Sequence, residues 1–82
     1  MKIQIFEEGM FVPTEKPDTQ QQVIEFDGTF EEYKAAERKS LAVPMEDIEI
    51  MEVADMEDGT LVVNYIAVRM NRKWIRQTHR PV

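Results

Sequence analysis

Few side chains in this 82-residue chain are suited to covalent or acid–base chemistry. There is one serine, Ser40, one histidine, His79, and no cysteine. Ser40 falls near the end of a predicted helix and His79 near a basic terminus, so the spacing supplies no nucleophile–base pair and no triad. Set among Arg76, Thr78 and Arg80, His79 reads as a solvated side chain. Glu52, Asp55, Glu57 and Asp58 surround a predicted turn and could offer oxygen ligands to Ca²⁺, but their spacing is not that of an EF-hand loop. With Glu46, Asp47 and Glu49 they read as a solvated acidic face, which could also attract a basic groove on a partner. No catalytic residue, metal ligand or cofactor site is assigned, and the expectation is a protein that is not an enzyme.

The segment most able to recognise something is Arg69-Met70-Asn71-Arg72-Lys73-Trp74-Ile75-Arg76, which interleaves cations with an aromatic ring. Cations neutralise phosphates, and Trp74 could stack on a base or support a guanidinium. Five Lys or Arg on an otherwise acidic chain give only weak non-specific affinity for a polyanion. The competing reading makes Trp74 a core anchor, and it is favoured because buried tryptophan is common. Arg69, Arg72, Lys73, Trp74 and Arg76 form the candidate partner-binding patch, with Tyr65 and Met70 adjoining.

These residues must be positioned by the stretch from Ile48 to Gln77. Leu61, Val63, Tyr65 and Ala67 alternate with Val62, Asn64, Ile66 and Val68. Both sets are largely apolar, the pattern of a central strand covered on two sides. Asp58-Gly59 predicts the turn before it, because Gly accepts the positive φ such loops need. Asn71-Arg72 predicts the turn after it, leading into a short return strand over 73–77 that points Trp74 and Ile75 to opposite faces.

Upstream, Ile3 and Ile5 mark a strand over 2–6 with one buried face. Glu7-Glu8-Gly9 is expected to interrupt it, with Met10-Phe11-Val12 as a continuation. Pro13 to Thr19 reads as a loop, and Gln21 to Phe26 as a second strand ended by Asp27-Gly28. Thr29 is a predicted N-cap with Glu32 closing a capping box. The helix should run to about Ser40, with Arg38 and Lys39 suiting its C-terminal end and Phe30, Tyr33, Ala36 and Leu41 facing the sheet. Pro44 bars its continuation. The expected fold is a single α+β domain over 1–82: two layers, one helix on an antiparallel sheet of four to five strands, in the order β-β-α-β-β-β.

Three features narrow the function. Residues 1–68 hold five basic side chains and all sixteen acids, whereas residues 69–82 hold five basic side chains and no acid. This sorting by sign suggests two oppositely charged surfaces. One helix of about three turns covers one side of a sheet, so the second apolar side of the Leu61–Val68 strand needs curling of the sheet, the Met10–Val12 segment, a second copy or another protein. Absence of cysteine, of a signal peptide and of a long apolar run suggests a soluble, cytoplasmic protein.

The strand-turn-helix VIEFDGTFEEYKAAERKS and the hairpin DGTLVVNYIAVRMNRKWIRQ resemble, in layout, small phage-encoded inhibitors of the anti-CRISPR type directed at type I surveillance complexes. The resemblance covers roughly residues 22–77 and carries no diagnostic motif. It implies a stoichiometric blocker from a phage or mobile element, acting in the host cytoplasm on a host protein complex that handles nucleic acid. Two other readings stay open: a small nucleic-acid-binding accessory domain using the basic hairpin, and a homodimeric structural subunit.

Overall fold

Ile3 and Ile5 lie on β1 (Lys2–Met10), the first strand of a computed structural model that describes residues 1–11 and 16–82. It is followed by β2 (Asp18–Glu25), α1 (Phe30–Leu41), β3 (Ile48–Asp55), β4 (Leu61–Ala67) and β5 (Lys73–Pro81). The expected α+β fold is present, with all five strands in one antiparallel sheet of order β2-β1-β5-β4-β3. Chain ends meet in the middle, where Ile3 pairs with Pro81 and Met10 with Trp74. β4 is an interior strand as expected, paired with β3 and β5, and β5 is the middle strand of the five. Among the described residues no helix is long and apolar enough to cross a membrane.

Glu7-Glu8-Gly9 does not break β1, contrary to expectation. Pairing runs unbroken on both sides of this strand. Gly9 serves as a floor: a Cβ there would stand 2.7 Å from Lys73 Cε. β2 starts earlier than expected, at Asp18. The expected Val12 continuation and the Pro13–Glu15 part of the loop lie outside the described residues. β5 is also longer than the expected 73–77, because a strand paired on both sides satisfies every main-chain group whatever its side chains.

Thr29 caps α1 as the sequence predicts. Its hydroxyl accepts from the Glu32 N–H (3.1 Å), and the Glu32 carboxylate accepts from the Thr29 N–H (2.9 Å). The backbone N–H of Thr29, followed by its hydroxyl, holds the Glu32 carboxyl below its ordinary range. Phe30, Tyr33 and Leu41 face the sheet, but Ala36 does not; Lys34 and Glu37 take its place on that arc. Tyr33 packs with Ile3 and Ile5 in the core, with Ile24, Phe26 and Phe30 at its margin. Phe26 meets the Tyr33 ring edge-on and Phe30 stacks on it, with centroids 5.4 and 5.8 Å away.

Both predicted turns form. Gly59 has φ of +89°. Asp58 accepts from the Thr60 N–H at 3.0 Å, and these bonds hold the Asp58 carboxyl below its ordinary value. Asn71 and Arg72 both adopt positive φ, +54° and +58°, as the two central residues of a turn closed by the Lys73 N–H to Met70 carbonyl bond. β4 ends at Ala67, so this turn follows another, closed by the Met70 N–H on the Ala67 carbonyl.

Candidate functional site

Strand alternation assigns the sheet's two faces. Ile3, Ile5, Ile75, Gln77, His79, Leu61 and Val63 share the face under α1, so Glu8, Met10, Trp74, Arg76, Asn64 and Ile66 occupy the other. On that second face Met10, Trp74 and Ile66 are successive cross-strand neighbours, and Glu8, Arg76, Asn64 and Glu52 form the next row. The pairing of β3 slips between Ile50 and Glu52, and this irregularity sets Met51 beside Glu52 at the margin of the same surface. Together these residues, with Tyr65 and Ile75, line a groove of about 440 Å³.

The groove has a buried floor and exposed walls. Ile66, at the floor, is buried, as is Val62 farther along the same face. Trp74, however, is 50% exposed and Met51 59%. No helix or loop among the described residues lies over them. Trp74 is thus not the core anchor expected; Ile75, next along the strand, fills that role. The reason is parity: a core position in β5 must share the face of His79, and Trp74 is an odd number of residues away.

The candidate basic patch does not hold together in space. Trp74 and Arg76 border the groove, whereas alternation places Tyr65, opposite Ile75, on the α1 face, from which it only adjoins the lining; Arg76 makes no ion pair among the described residues. Arg69 and Arg72 lie in the β4–β5 connection, where Arg69 pairs with Glu46 and Asp47 and Arg72 with Glu49 at 3.4 Å. Met70 is exposed in the same connection. Lys73 points to the face of α1, where its ammonium lies 3.6 Å from Asp18 and 5.5 Å from the Phe11 ring centroid. The sorting of charge along the chain becomes interleaving in the fold, because antiparallel pairing lays the basic C-terminal segment beside acidic strands.

Two polar clusters were not legible beforehand. In the first, Tyr33, His79, Gln77 and Glu7 form a hydrogen-bonded series. Gln77 Nε2 donates to Glu7 Oε1 at 2.9 Å, which leaves Gln77 Oε1 to accept from His79 Nε2 at 2.9 Å. The imidazole therefore carries its proton on Nε2, and the Tyr33 hydroxyl donates to Nδ1 at 2.5 Å. His79 is only 2% exposed, not solvated, and desolvation holds its pKa below the ordinary value. Burial, with the nearby Glu37 charge, pushes the Tyr33 phenol far above its ordinary value, and burial raises Glu37 itself. The series could pass a proton, but Tyr33 and His79 are sealed beneath α1 and present no atom to a substrate. Only its Glu7 end is open, beside a polar hollow of about 150 Å³ lined by Gln20, Gln21 and Gln22.

The second cluster centres on Lys34, which is 4% exposed. Its ammonium donates to the Gly59 carbonyl at 3.0 Å, pairs with Glu31 at 3.1 Å and Asp55 at 3.5 Å, and lies over the Phe30 ring. Arg38 meets Asp55 at 3.2 Å. Partial desolvation pushes the Asp55 carboxyl up, but the Arg38 hydrogen bond and charge, with those of Lys34, more than offset it and leave its pKa lowered. The acidic turn is thereby used to tie α1 to the β3–β4 hairpin.

Fold and groove define a two-layer α+β protein with one roofed and one open sheet face. Comparison with protein-family models, curated proteins and solved structures finds no match.

Proposed function

We propose that this protein acts by stoichiometric binding, without catalysis, and that the open sheet face is its recognition surface for another protein. One observation carries the reading: a half-exposed tryptophan stands on an unroofed face beside Met10 and Met51, over the apolar floor of Ile66. A tryptophan and methionines around a concave apolar floor are the composition of an interface centre, with Glu8, Glu52, Asn64 and Arg76 as a polar rim. The occupant is an apolar anchor side chain of a protein partner. The layout resemblance makes a subunit of a host nucleic-acid-processing or defence complex the target class, so the protein would be an inhibitor of the anti-CRISPR type.

Direct nucleic-acid binding is supported less well. Arg69, Arg72 and Lys73 are already engaged by acids of the same chain, and Glu8 and Glu52 flank the groove. A phosphate backbone would meet these carboxylates beside Arg76.

The test is a comparative affinity purification with three baits: the native chain, Trp74→Ser in the groove, and Lys73→Ala on the opposite face. The expected result is a protein recovered in stoichiometric amount by the native and Lys73→Ala baits and lost with Trp74→Ser. Identical recovery by all three would remove the groove as the recognition surface. Release of the captured complex by target DNA identifies competition with nucleic acid.

A further inference from the structure

The two edges of the sheet are built differently, and that difference points to a second copy of this chain. The outer edge of β3 is defended by an irregularity at Met51 and by Glu49, Glu52 and Asp55, while Met45 bridges back onto Ile48. Pairing irregularities and charges of this kind keep an edge strand from adding another strand. β2 has neither. Its pairing with β1 runs without slippage from Glu25 to Asp18, and Thr19-Gln20-Gln21-Gln22-Val23-Ile24 contains no charge and no proline.

The register shows which main-chain groups this edge offers. The Phe26 N–H bonds the Met1 carbonyl at 2.9 Å, so even-numbered residues of β2 direct their main-chain groups to β1. Thr19, Gln21, Val23 and Glu25 therefore direct theirs outward. An antiparallel pair of two β2 strands that engages all four sets Gln21 opposite Val23 of the second copy and Thr19 opposite its Glu25. In that register no acid faces an acid: Asp18 lies opposite Phe26. The acids at the ends are also balanced within the chain, Asp18 by Lys73 at 3.6 Å and Glu25 by the Met1 ammonium at 3.9 Å.

We propose that two chains associate through β2 in this register, about a twofold axis at Gln22, to form one continuous ten-stranded sheet. Both helices then lie on one face, and both Trp74 grooves open on the other. The dimer would present two copies of the recognition surface side by side, although the β2 pairing does not depend on what the grooves bind. Because each chain carries a net charge of −6, association should strengthen as salt screens the mutual repulsion.

Sedimentation velocity over a concentration series, at low and at 0.5 M salt (roughly a 4 Å screening length), tests this. The expected result is a monomer–dimer equilibrium tightened by salt. Gln21→Pro, which removes one outward N–H at an edge position that tolerates proline, should weaken it at least tenfold. Val23→Glu, which adds to the like charge of the two chains at an exposed position, should do the same. Circular dichroism confirms that both variants fold. Trp74→Ser should leave the equilibrium unchanged. Two results would overturn the proposal: a monomer under all conditions, or a dimer that responds to Trp74→Ser and not to the β2 variants.

Discussion

The Tyr33 hydroxyl lies 2.5 Å from His79 Nδ1, joining the first turn of the helix to the central strand through a hydrogen bond closed to water. Each partner is the other's means of tolerating burial. Tyr33→Phe leaves Nδ1 without a donor, and His79→Leu leaves the phenol without an acceptor. Each single change should cost about 1–3 kcal/mol, the penalty for an unsatisfied buried group. The double variant should cost less than the sum of the two, because it removes both polar atoms together. Urea unfolding of the four proteins measures the coupling, and strict additivity would show the bond to be inconsequential.

The same histidine should make stability depend on pH. Its folded pKa is depressed below the ordinary 6.5, so the unfolded chain binds the proton first as pH falls. Stability is then fully present above about pH 6.5 and declines below it, by up to about 1.4 kcal/mol per pH unit until the folded pKa is reached. Glu37 opposes this at lower pH. Its raised folded pKa means that the folded chain takes up that proton first, which restores stability as pH falls toward 4.5. Melting temperatures at closely spaced pH values should show the decline in native protein and its loss in His79→Leu.

Lys34 and Arg38 both reach Asp55, yet they should differ in weight. Lys34→Met keeps the apolar stem but strands the Gly59 carbonyl, and should cost about 1–3 kcal/mol. Arg38→Met breaks an exposed pair and should cost at most about 1 kcal/mol. Equal losses in denaturant titrations would refute the central role given to the buried ammonium.

Arg72 holds a left-handed conformation at φ +58° without being glycine. Such a conformation costs a side-chain-bearing residue about 1–2 kcal/mol. Arg72→Gly should recover part of that, offset by the greater freedom of glycine in the unfolded chain. A net gain of roughly 0.5–1 kcal/mol, or several degrees in Tm, is expected for a domain of this size. The lost pair with Glu49 is exposed on both sides and subtracts little.

Local rules were legible in the residues themselves. Thr29 with Glu32, Asp58 with Gly59, and Asn71 with Arg72 act through contacts only a few positions apart, so sequence alone determined a helix start and two turns. Alternation in Leu61–Ala67 likewise determined a strand with two apolar faces, and the element order followed. The partner of β1 could not be read this way, because nothing near Ile3 indicates that it pairs with Pro81 at the far end of the chain. That one pairing decided most of what came later. It made β5 central, buried His79 beneath Tyr33, turned Trp74 outward and set the C-terminal cations among acids. Side-chain parity follows from register, and register between distant strands is fixed by the packing of the whole sheet. The residues thus determined which elements form, and only the tertiary structure decided which of their faces meets water.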